Sequence, residues 1–196
     1  MGETFEGQDE SQLIARCQQH DHQAFGQLID CYASTVLNVI ARMIGNQTDA
    51  QDVTQETFVS AFRAIADFRA DSRFSTWLHR IAVNKAKDYL RAQARRQERE
   101  GFQPIEEEGG NPILEVADER TPEHGASDKQ MAYHLEQAIQ KLSPLYREAF
   151  VLKHVEGMGY EEMAQILGVG KDVLKMRVYK ARIKLSKELD WLKEDV

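Results

Sequence analysis

Apolar residues recur every three or four positions through much of the chain, which is the spacing of one face of an α-helix. The longest series covers residues 25–43 and continues for about five turns before Gly45, a residue that often ends helices. A weaker series over residues 9–20 predicts a short helix ahead of it. The pattern therefore predicts an all-α protein whose first domain is built around residues 25–43.

A third helix is predicted from Thr48 to about Asp67, because Thr48 and Gln51 have the spacing of a capping box. Its core-facing positions are Val53, Thr57, Ala61 and Ile65. This leaves a compact acidic and amide patch on the outside, formed by Asp49, Asp52, Gln55 and Glu56. Acids in a first turn also suit a purely solvated helix face, which is the alternative interpretation.

Residues 68–99 combine positive charge with aromatic side chains. Residues 73–99 hold eight Lys or Arg against two acids, a local charge of +6. The spacing predicts a helix capped by Ser75 or Thr76 that runs to about Arg96, after a structured loop at residues 67–75. Its predicted core face holds Trp77, Leu78, Ile81, Ala82 and Tyr89, and its outer face holds Arg80, Asn84, Lys87 and Arg91. Flat rings among cations are typical of nucleic-acid binding, although a solvated charged helix with a Trp anchor has the same pattern.

A composition change at residue 100 predicts a domain boundary. Residues 100–128 carry nine acids, one base and three of the four prolines, which predicts a flexible linker between domains at 1–99 and 129–196. Helical spacing resumes with Met131, Leu135, Ile139 and Leu142, and Ser143-Pro144 has the form of a helix start.

The end of the chain has the pattern of a helix-turn-helix. A short helix stops at Gly168, and a basic helix follows over residues 171–189, of which residues 171–187 carry a charge of +6. Its predicted inward positions are Val173 or Leu174, Val178, Ile183, Leu185 and Leu189. An ordinary helical hairpin is the alternative, but the cations on the last helix favour DNA binding.

Net charge must be divided along the chain before it is interpreted. The chain of 196 residues carries a formal charge of -7, yet two compact basic segments stand out from an acidic background. Neutralising phosphates depends on such local clusters, so the total predicts only weak non-specific DNA binding by the chain alone. No apolar run approaches the roughly 18 residues of a membrane span, and the polar start is unlike a signal peptide, so a cytoplasmic location is expected.

Two cysteines are too few for a disulfide framework, which fits a reducing compartment. Together with two histidines, however, they offer four soft ligands within a short stretch: Cys17, His20, His22 and Cys31. A zinc or redox site there is an alternative to a buried thiol. The preferred interpretation includes no metal and no cofactor.

The sequence resembles the extracytoplasmic-function (ECF) sigma factors, the small two-domain initiation subunits of bacterial RNA polymerase. DAQDVTQETFVSAFRA is similar to the family's core-polymerase-binding segment, and FRADSRFSTWLHRIAVNKAKDYLR to its promoter-melting segment. LSPLYREAFVLKHVEGMGYEEMAQILGV followed by KMRVYKARIKL is similar to its helix-turn-helix. The three motifs occur in the family's order and cover nearly the whole chain.

The resemblance implies roles for named residues. Asp49, Asp52, Gln55 and Glu56 would bind core RNA polymerase at the clamp helices of the β′ subunit, with the β subunit as a further partner. The minus-10 element would be bound by Ala64, Phe68, Arg73, Phe74, Trp77, Arg80, Ile81, Asn84, Lys87 and Arg91, with one flipped base in a pocket of Ala64, Phe68, Ile81 and Asn84. The minus-35 element would be bound by Lys171, Asp172, Lys175, Arg177, Lys180 and Arg182. An anti-sigma factor is also implied, acting on a protein that is monomeric when free.

The recognition helix departs from the family pattern. The family opens this helix with Ser, a variable residue, Gly and Thr, whereas this chain has Gly170, Lys171, Asp172 and Val173. Small hydroxyls that would contact phosphate are missing, and Asp172 is the expected replacement cap. A carboxylate at this position can either accept a hydrogen bond from a cytosine amine or repel the DNA, so the departure leaves the preferred minus-35 sequence open but not the role of the helix.

Two other functions remain as alternatives. One is a helix-turn-helix regulator that works without polymerase and senses a ligand or metal through the Cys/His group. The other is a protein-binding decoy, against which the two basic segments argue. No phosphate-binding glycine loop, nucleophile elbow or HExxH spacing is present, so no catalytic activity is predicted.

Overall fold

The computed structural model describes residues 9–99 and 126–190. Within them the chain is helical and has no strand, as predicted. The helices are α1 (Glu10–Gln18), α2 (His22–Ile44), α3 (Gln47–Ala64), α4 (Phe74–Arg99), α5 (Ala126–Gln140), α6 (Pro144–Phe150), α7 (Tyr160–Leu167) and α8 (Lys171–Glu188). A 3-10 turn (Ile65–Asp67) follows α3, and a π turn (Val151–Val155) follows α6. Of the predicted linker, residues 100–125 lie outside the described residues, and α5 begins at Ala126, ahead of the expected start at residue 129.

Helix α2 is the core of the N-terminal half. Val36, Val39 and Ile40 are fully buried, and α2 contacts α1, α3 and α4. It ends where Gly45 adopts φ 82, a left-handed conformation that favours glycine. By length and composition alone α2 would qualify as a membrane span, contrary to the expectation that no apolar run comes close. Its packing against three other helices accounts for this apolar character.

Two predicted helix starts are wrong. Helix α3 is capped by Asn46, whose side-chain oxygen accepts a hydrogen bond from the backbone N–H of Asp49 at 3.1 Å, and not by Thr48. Helix α4 already begins at Phe74, so Ser75 and Thr76 lie inside its first turn and neither is the cap. In both cases the helix begins further upstream than the hydrophobic spacing indicated.

An aromatic cluster fixes the start of α4. The ring centroids of Phe68 and Trp77 are 5.2 Å apart, those of Phe74 and Trp77 are 5.5 Å apart, and Tyr32 of α2 lies 5.5 Å from Phe74. Tilted and edge-on ring pairs of this kind contribute about 0.5–1.5 kcal/mol each beyond their burial. The cluster therefore holds the loop at residues 68–73 and the first turn of α4 against α2.

The C-terminal half contains the predicted helix-turn-helix. Helix α7 ends at Gly168, which adopts φ 68, and α8 begins three residues later. The buried residues of α8 are Leu174, Val178, Ala181 and Leu185, so of the two predicted alternatives Val173 and Leu174 it is Leu174 that faces the core, whereas the predicted Ile183 is 39% exposed. The buried set keeps the three- and four-residue steps of one helix face, which Ile183 breaks.

The prediction for α5 is half right. Ile139 and Leu142 are buried, but Met131 and Leu135 are 48% and 37% exposed. Ser143 is the N-cap of α6 and Pro144 its first residue, as predicted.

The two halves pack against each other. Helix α4 contacts α7, and α2 contacts α5, α6 and the π turn. Near the end of α2, the Arg147 guanidinium donates to the carbonyl of Met43 at 2.7 Å, and the Gln140 amide donates to the carbonyl of Arg42 at 2.9 Å. The described arrangement is thus a closed one.

Candidate nucleic-acid interface

Helix α4 presents three different faces. Leu78, Ala82 and Ala86 are fully buried against the N-terminal core. His79 and Val83, one turn apart, are also buried, and His79 lies against the C-terminal half. The remaining face is a narrow exposed strip that carries Arg80, Asn84 and Arg91.

The residues predicted to bind the minus-10 element divide into three groups. Arg73, Arg80, Asn84 and Arg91 are exposed, and Ala64, Ile81 and Lys87 are half-buried. Phe68, Phe74 and Trp77 are only 8%, 3% and 9% exposed. In this conformation the rings of Phe74 and Trp77 on α4 therefore lie beneath the predicted DNA-binding surface. The exposed cations and the amide form that surface.

The predicted polymerase-binding patch lies on the next helix. Asp52, Gln55 and Glu56 are exposed on α3. Asp49 is half-buried and accepts a hydrogen bond from the Tyr89 hydroxyl of α4 at 2.6 Å. Burial, assisted by this contact, raises the pKa of Tyr89 to about 12. Asp49 was predicted to belong to the exposed acids, but its contact with Tyr89 makes it a link between α3 and α4.

The predicted minus-35 residues lie mainly on the exposed surface of α8. Lys171, Asp172, Lys175, Lys180 and Arg182 are exposed, and Arg177 is half-buried. The N-cap is Gly170, so the expectation that Asp172 caps the helix is wrong. The Asp172 carboxylate instead pairs with Lys175, one turn later, at 3.0 Å. Its negative charge is therefore locally balanced where the helix would approach DNA.

Glu148, a residue of α6 that is 2% exposed, was not predicted from the sequence. One of its carboxylate oxygens lies 3.0 Å from a guanidinium nitrogen of Arg177, and the other lies 2.8 Å from Nζ of Lys87. A buried carboxylate needs such partners because it has lost its water. A signal was present in the sequence: Glu148 is four residues before Leu152 and so shares its buried face.

His79 was also missed, because it lies between apolar positions of α4. Its Nδ1 donates to the carbonyl of Ser75 at 2.7 Å, which leaves the lone pair on Nε2. That nitrogen faces Glu156 of the C-terminal half at 3.8 Å, beyond hydrogen-bond distance. Burial lowers the pKa of His79 below its usual value, so the imidazole is neutral at pH 7.

The Cys/His group does not form a metal centre in the part of the chain that the structure describes. Cys17 is 1% exposed, and burial raises its pKa to about 11. The His22 ring stacks on Phe62 with centroids 5.1 Å apart. Among the described residues no group of three or more His, Cys, Asp or Glu side chains is arranged to hold a metal ion.

Comparison with known proteins agrees with this geometry. Residues 28–96 match the family model of sigma-70 region 2, and residues 134–185 match that of sigma-70 region 4. The chain is 34% identical to the RNA polymerase sigma-H factor of Pseudomonas aeruginosa over 93% of this chain and 94% of that protein. It is 35% identical to the ECF RNA polymerase sigma-E factor of Haemophilus influenzae over 87% and 89% of the two chains. The chain belongs to the ECF sigma factors of the sigma-70 family.

Solved structures support the same assignment. The chain is similar to CnrH, solved in complex with the cytosolic domain of CnrY, with a TM-score of 0.66 and 28% identity over 92% of this chain and 97% of that one. The sigma factor RpoE of Bartonella quintana, solved with the anti-sigma factor NepR, shares the fold with a TM-score of 0.70 at 23% identity, over 85% and 96% of the two chains. Region 2 of this sigma factor thus lies on α2–α4 and region 4 on α5–α8. The two basic helices fall in different regions.

Proposed function

We propose that this sigma factor binds core RNA polymerase through α3, captures the minus-10 element with α4 and reads the minus-35 element with α8. The observation that carries the proposal is the direct coupling of α3 to α4. Lys85 of α4 pairs with Glu56 of α3 at 3.5 Å, and Tyr89 donates to Asp49 at 2.6 Å. Polymerase docking and strand capture thereby share one rigid unit, the packed pair of α3 and α4. The proposed domain limits are residues 1–99 and residues 129–196.

At the minus-10 element, DNA binding depends on exposed cations that lie over the buried aromatic cluster. Arg80 and Arg91 supply phosphate contacts, and Asn84, between them on the same strip, offers an amide to a base edge. The proposed pocket for one flipped base is Ala64, Phe68, Ile81 and Asn84. Unstacking a base step costs a few kcal/mol, which phosphate contacts and pocket contacts must offset.

At the minus-35 element, α8 enters the major groove of duplex DNA. Lys171, Lys175 and Lys180 supply positive charge to phosphates. Because Asp172 is paired with Lys175, it does not simply repel the backbone. Base preference then depends on this unusual N-terminal turn of α8.

The sigma factor has no catalytic role of its own and acts as a monomer in the cytoplasm, where it recruits the polymerase active site to promoters. An anti-sigma factor is proposed as its inhibitor. The support is that a sigma factor of the same fold, RpoE of Bartonella quintana, was solved with an anti-sigma factor.

The function is tested by transcription with sigma-free core polymerase on pooled genomic fragments, with and without the protein, followed by sequencing of RNA 5′ ends. New starts that share two upstream motifs are expected. If a folded, inhibitor-free protein produces no new starts, the proposal is wrong and a polymerase-independent regulator takes its place.

Two variants separate the proposed surfaces, and each is the control for the other. Asp52→Lys should reduce core-polymerase binding while Asn84→Ala leaves it intact, because only Asp52 lies in the α3 patch. Asn84→Ala should lose discrimination at one minus-10 position, by about 1–3 kcal/mol. Asp30→Lys makes the same charge change on α2 and should leave polymerase affinity unchanged.

A further inference from the structure

The exposed face of α8 carries an apolar ridge. Its side chains are 39% to 60% exposed and recur in steps of three or four residues, which places them on one face of the helix: Val173, Met176, Tyr179 and Ile183. With 3.6 residues per turn, positions two apart lie about 160° from each other around a helix. Met176 is two residues from Leu174 and two residues from Val178, and both of these are buried. The ridge therefore faces directly away from the core of region 4.

Exposed cations lie on both sides of the ridge. Counted around the helix, one side holds Lys171, Lys175 and Arg182, and the other side holds Lys180 and Lys184. A helix about 10–12 Å across fits a major groove about 12 Å wide, which has a phosphate backbone along each edge. In that position the two rows of cations face the two backbones and the ridge faces the base edges.

The same charges favour DNA over a protein as the partner of the ridge. Residues 171–187 carry seven bases and one acid. That acid, Asp172, pairs with Lys175 at 3.0 Å. Lysine is depleted at protein–protein interfaces, whereas a polyanion needs the cations that surround the ridge. The ridge is thus an apolar surface inside a phosphate-binding frame.

Two residues of the ridge lie where base edges are read. In a helix-turn-helix, the N-terminal part of the second helix contacts the bases. Val173 and Met176 lie in the first two turns of α8, which begins at Lys171. Three residues of helix rise about 4.5 Å and neighbouring base pairs are about 3.4 Å apart, so the two side chains can reach adjacent base pairs.

Apolar side chains at these positions select thymine. In the major groove thymine is the base that presents a methyl group, whereas the edges of guanine, adenine and cytosine present hydrogen-bond donors and acceptors. An apolar side chain that covers a donor or acceptor leaves it without a partner and weakens binding. Methionine suits contact with a methyl group, because its unbranched thioether chain adapts to an irregular apolar surface.

We infer that Met176 is a specificity-determining residue: it packs on the C5 methyl group of a thymine in the minus-35 element, and Val173 contacts a neighbouring base pair. The inference rests on the proposed reading of this element by α8. The cations supply affinity for any duplex, and the ridge supplies the preference for thymine.

The experiment removes the methyl group and nothing else. The minus-35 motif is taken from the start-site sequencing, and each of its thymines, on either strand, is replaced in turn by deoxyuridine. Deoxyuridine keeps the hydrogen-bonding groups of thymidine and lacks the C5 methyl group. The Kd of each promoter fragment is measured by fluorescence anisotropy for polymerase holoenzyme that contains the full-length sigma factor.

Three variants accompany the wild type: Met176→Ala, Met176→Leu and Met131→Ala. Met131 of α5 is the matched control, because it is a methionine that is 48% exposed, close to the 52% of Met176. Alanine and leucine both favour helix, so the exposed position 176 keeps its backbone in either variant. Circular dichroism checks that each protein is folded.

For the wild type, deoxyuridine at one thymine position should raise Kd about fourfold, the size expected for one methyl group that is no longer buried. Met176→Ala should bind the thymine and deoxyuridine fragments equally at that position. Met176→Leu should keep most of the difference, and Met131→Ala should keep all of it. The slope of log Kd against log salt should be the same in every protein, because none of these changes removes a phosphate contact.

Equal affinity of the wild type for all thymine and deoxyuridine fragments overturns the inference, and so does a full thymine preference in Met176→Ala. If Met176→Ala weakens assembly with core polymerase and keeps the thymine preference, the ridge is a protein-docking surface and the inference is also wrong. Failure of the proposed function is recognised separately, since the wild-type protein would then produce no new transcription starts with core polymerase.

Discussion

The two basic helices differ in how much of their surface the fold uses. Helix α4 is buried on two sides, against the N-terminal core at Leu78 and against the C-terminal half at His79. Helix α8 is buried on one side only, along Leu174, Val178, Ala181 and Leu185. Equal local charge therefore does not mean equal availability for DNA.

This difference assigns different work to the two helices. Helix α4 can offer DNA only a narrow strip, because Lys87 and His79 on the same helix contact carboxylates of region 4. Helix α8 exposes a wide surface that also carries Val173, Met176 and Tyr179, which are 49%, 52% and 60% exposed. Apolar contacts to thymine methyl groups are among the ways a major groove is read.

The largest effect is expected where the two helices meet. Glu148→Gln leaves Arg177 and Lys87 without their shared carboxylate, and removal of one partner of a buried ion pair costs about 3–5 kcal/mol. The free energy of unfolding from urea titration should fall by that amount. Glu161→Gln removes an exposed carboxylate that pairs with Lys171 and should cause no measurable change. Equal stability of the two variants would show that Glu148 does not join the helices.

Deep burial of α4 is tested by Leu78→Ala. Leu78 is fully buried, so its truncation should lower the free energy of unfolding by about 2–5 kcal/mol. The matched change on α8, Ile183→Ala, removes a side chain that is 39% exposed and should stay within about 0.5 kcal/mol. Similar losses in both would contradict the contrast between a helix buried on two sides and one that is largely exposed.

A pH effect of intermediate size is expected at the interface between the halves. The pKa of His79 is lowered by burial in the closed state and returns toward 6.5 on opening, so the closed state favours the neutral ring. Its stabilisation is complete above pH 6.5 and is lost as pH falls below that value. Of the carboxylates near the ring, Glu162 opposes this lowering of the pKa because its charge favours the protonated imidazole, and Glu156 lies 3.8 Å from Nε2.

Scattering at pH 7.5 and pH 5.5 measures this opening, with His79→Gln as the reference variant. The wild type should expand at the lower pH and the variant should not. His154 also has a lowered pKa, so expansion of the variant equal to that of the wild type would move the effect to another histidine.

The smallest effect is expected for a single exposed cation of α8. Lys180→Ala should leave stability unchanged and weaken binding to all promoters to a similar extent. The slope of log Kd against log salt should decrease in magnitude by about 1, because one fewer phosphate is neutralised. A change in preference for one base, without a change in slope, would make Lys180 a base-reading residue instead.

Hydrophobic spacing predicted most of the helices and the order of the DNA-binding segments. Gly45 and Gly168 end helices as expected, because they occupy left-handed backbone conformations. The helix starts were less predictable: Asn46, not Thr48, caps α3 because capping depends on backbone conformation as well as on side-chain type. Ile183 of α8 was predicted to face the core but is exposed. The prediction assumed that the apolar face of the helix extends further than the surface it packs against.

The sequence alone determined where charge, amide groups and helical spacing lie along the chain, since these are local properties, and it predicted from them the residues for phosphate and polymerase. It determined neither that Lys87 and Arg177 share Glu148, nor that His79 faces Glu156. The Lys87–Glu148 and His79–Glu156 contacts exist only because region 4 packs on region 2, and the Arg177–Glu148 contact exists because α6 packs on α8 within region 4. Local patterning fixes the helices and their chemical surfaces, whereas tertiary packing decides which of those surfaces are free to meet DNA.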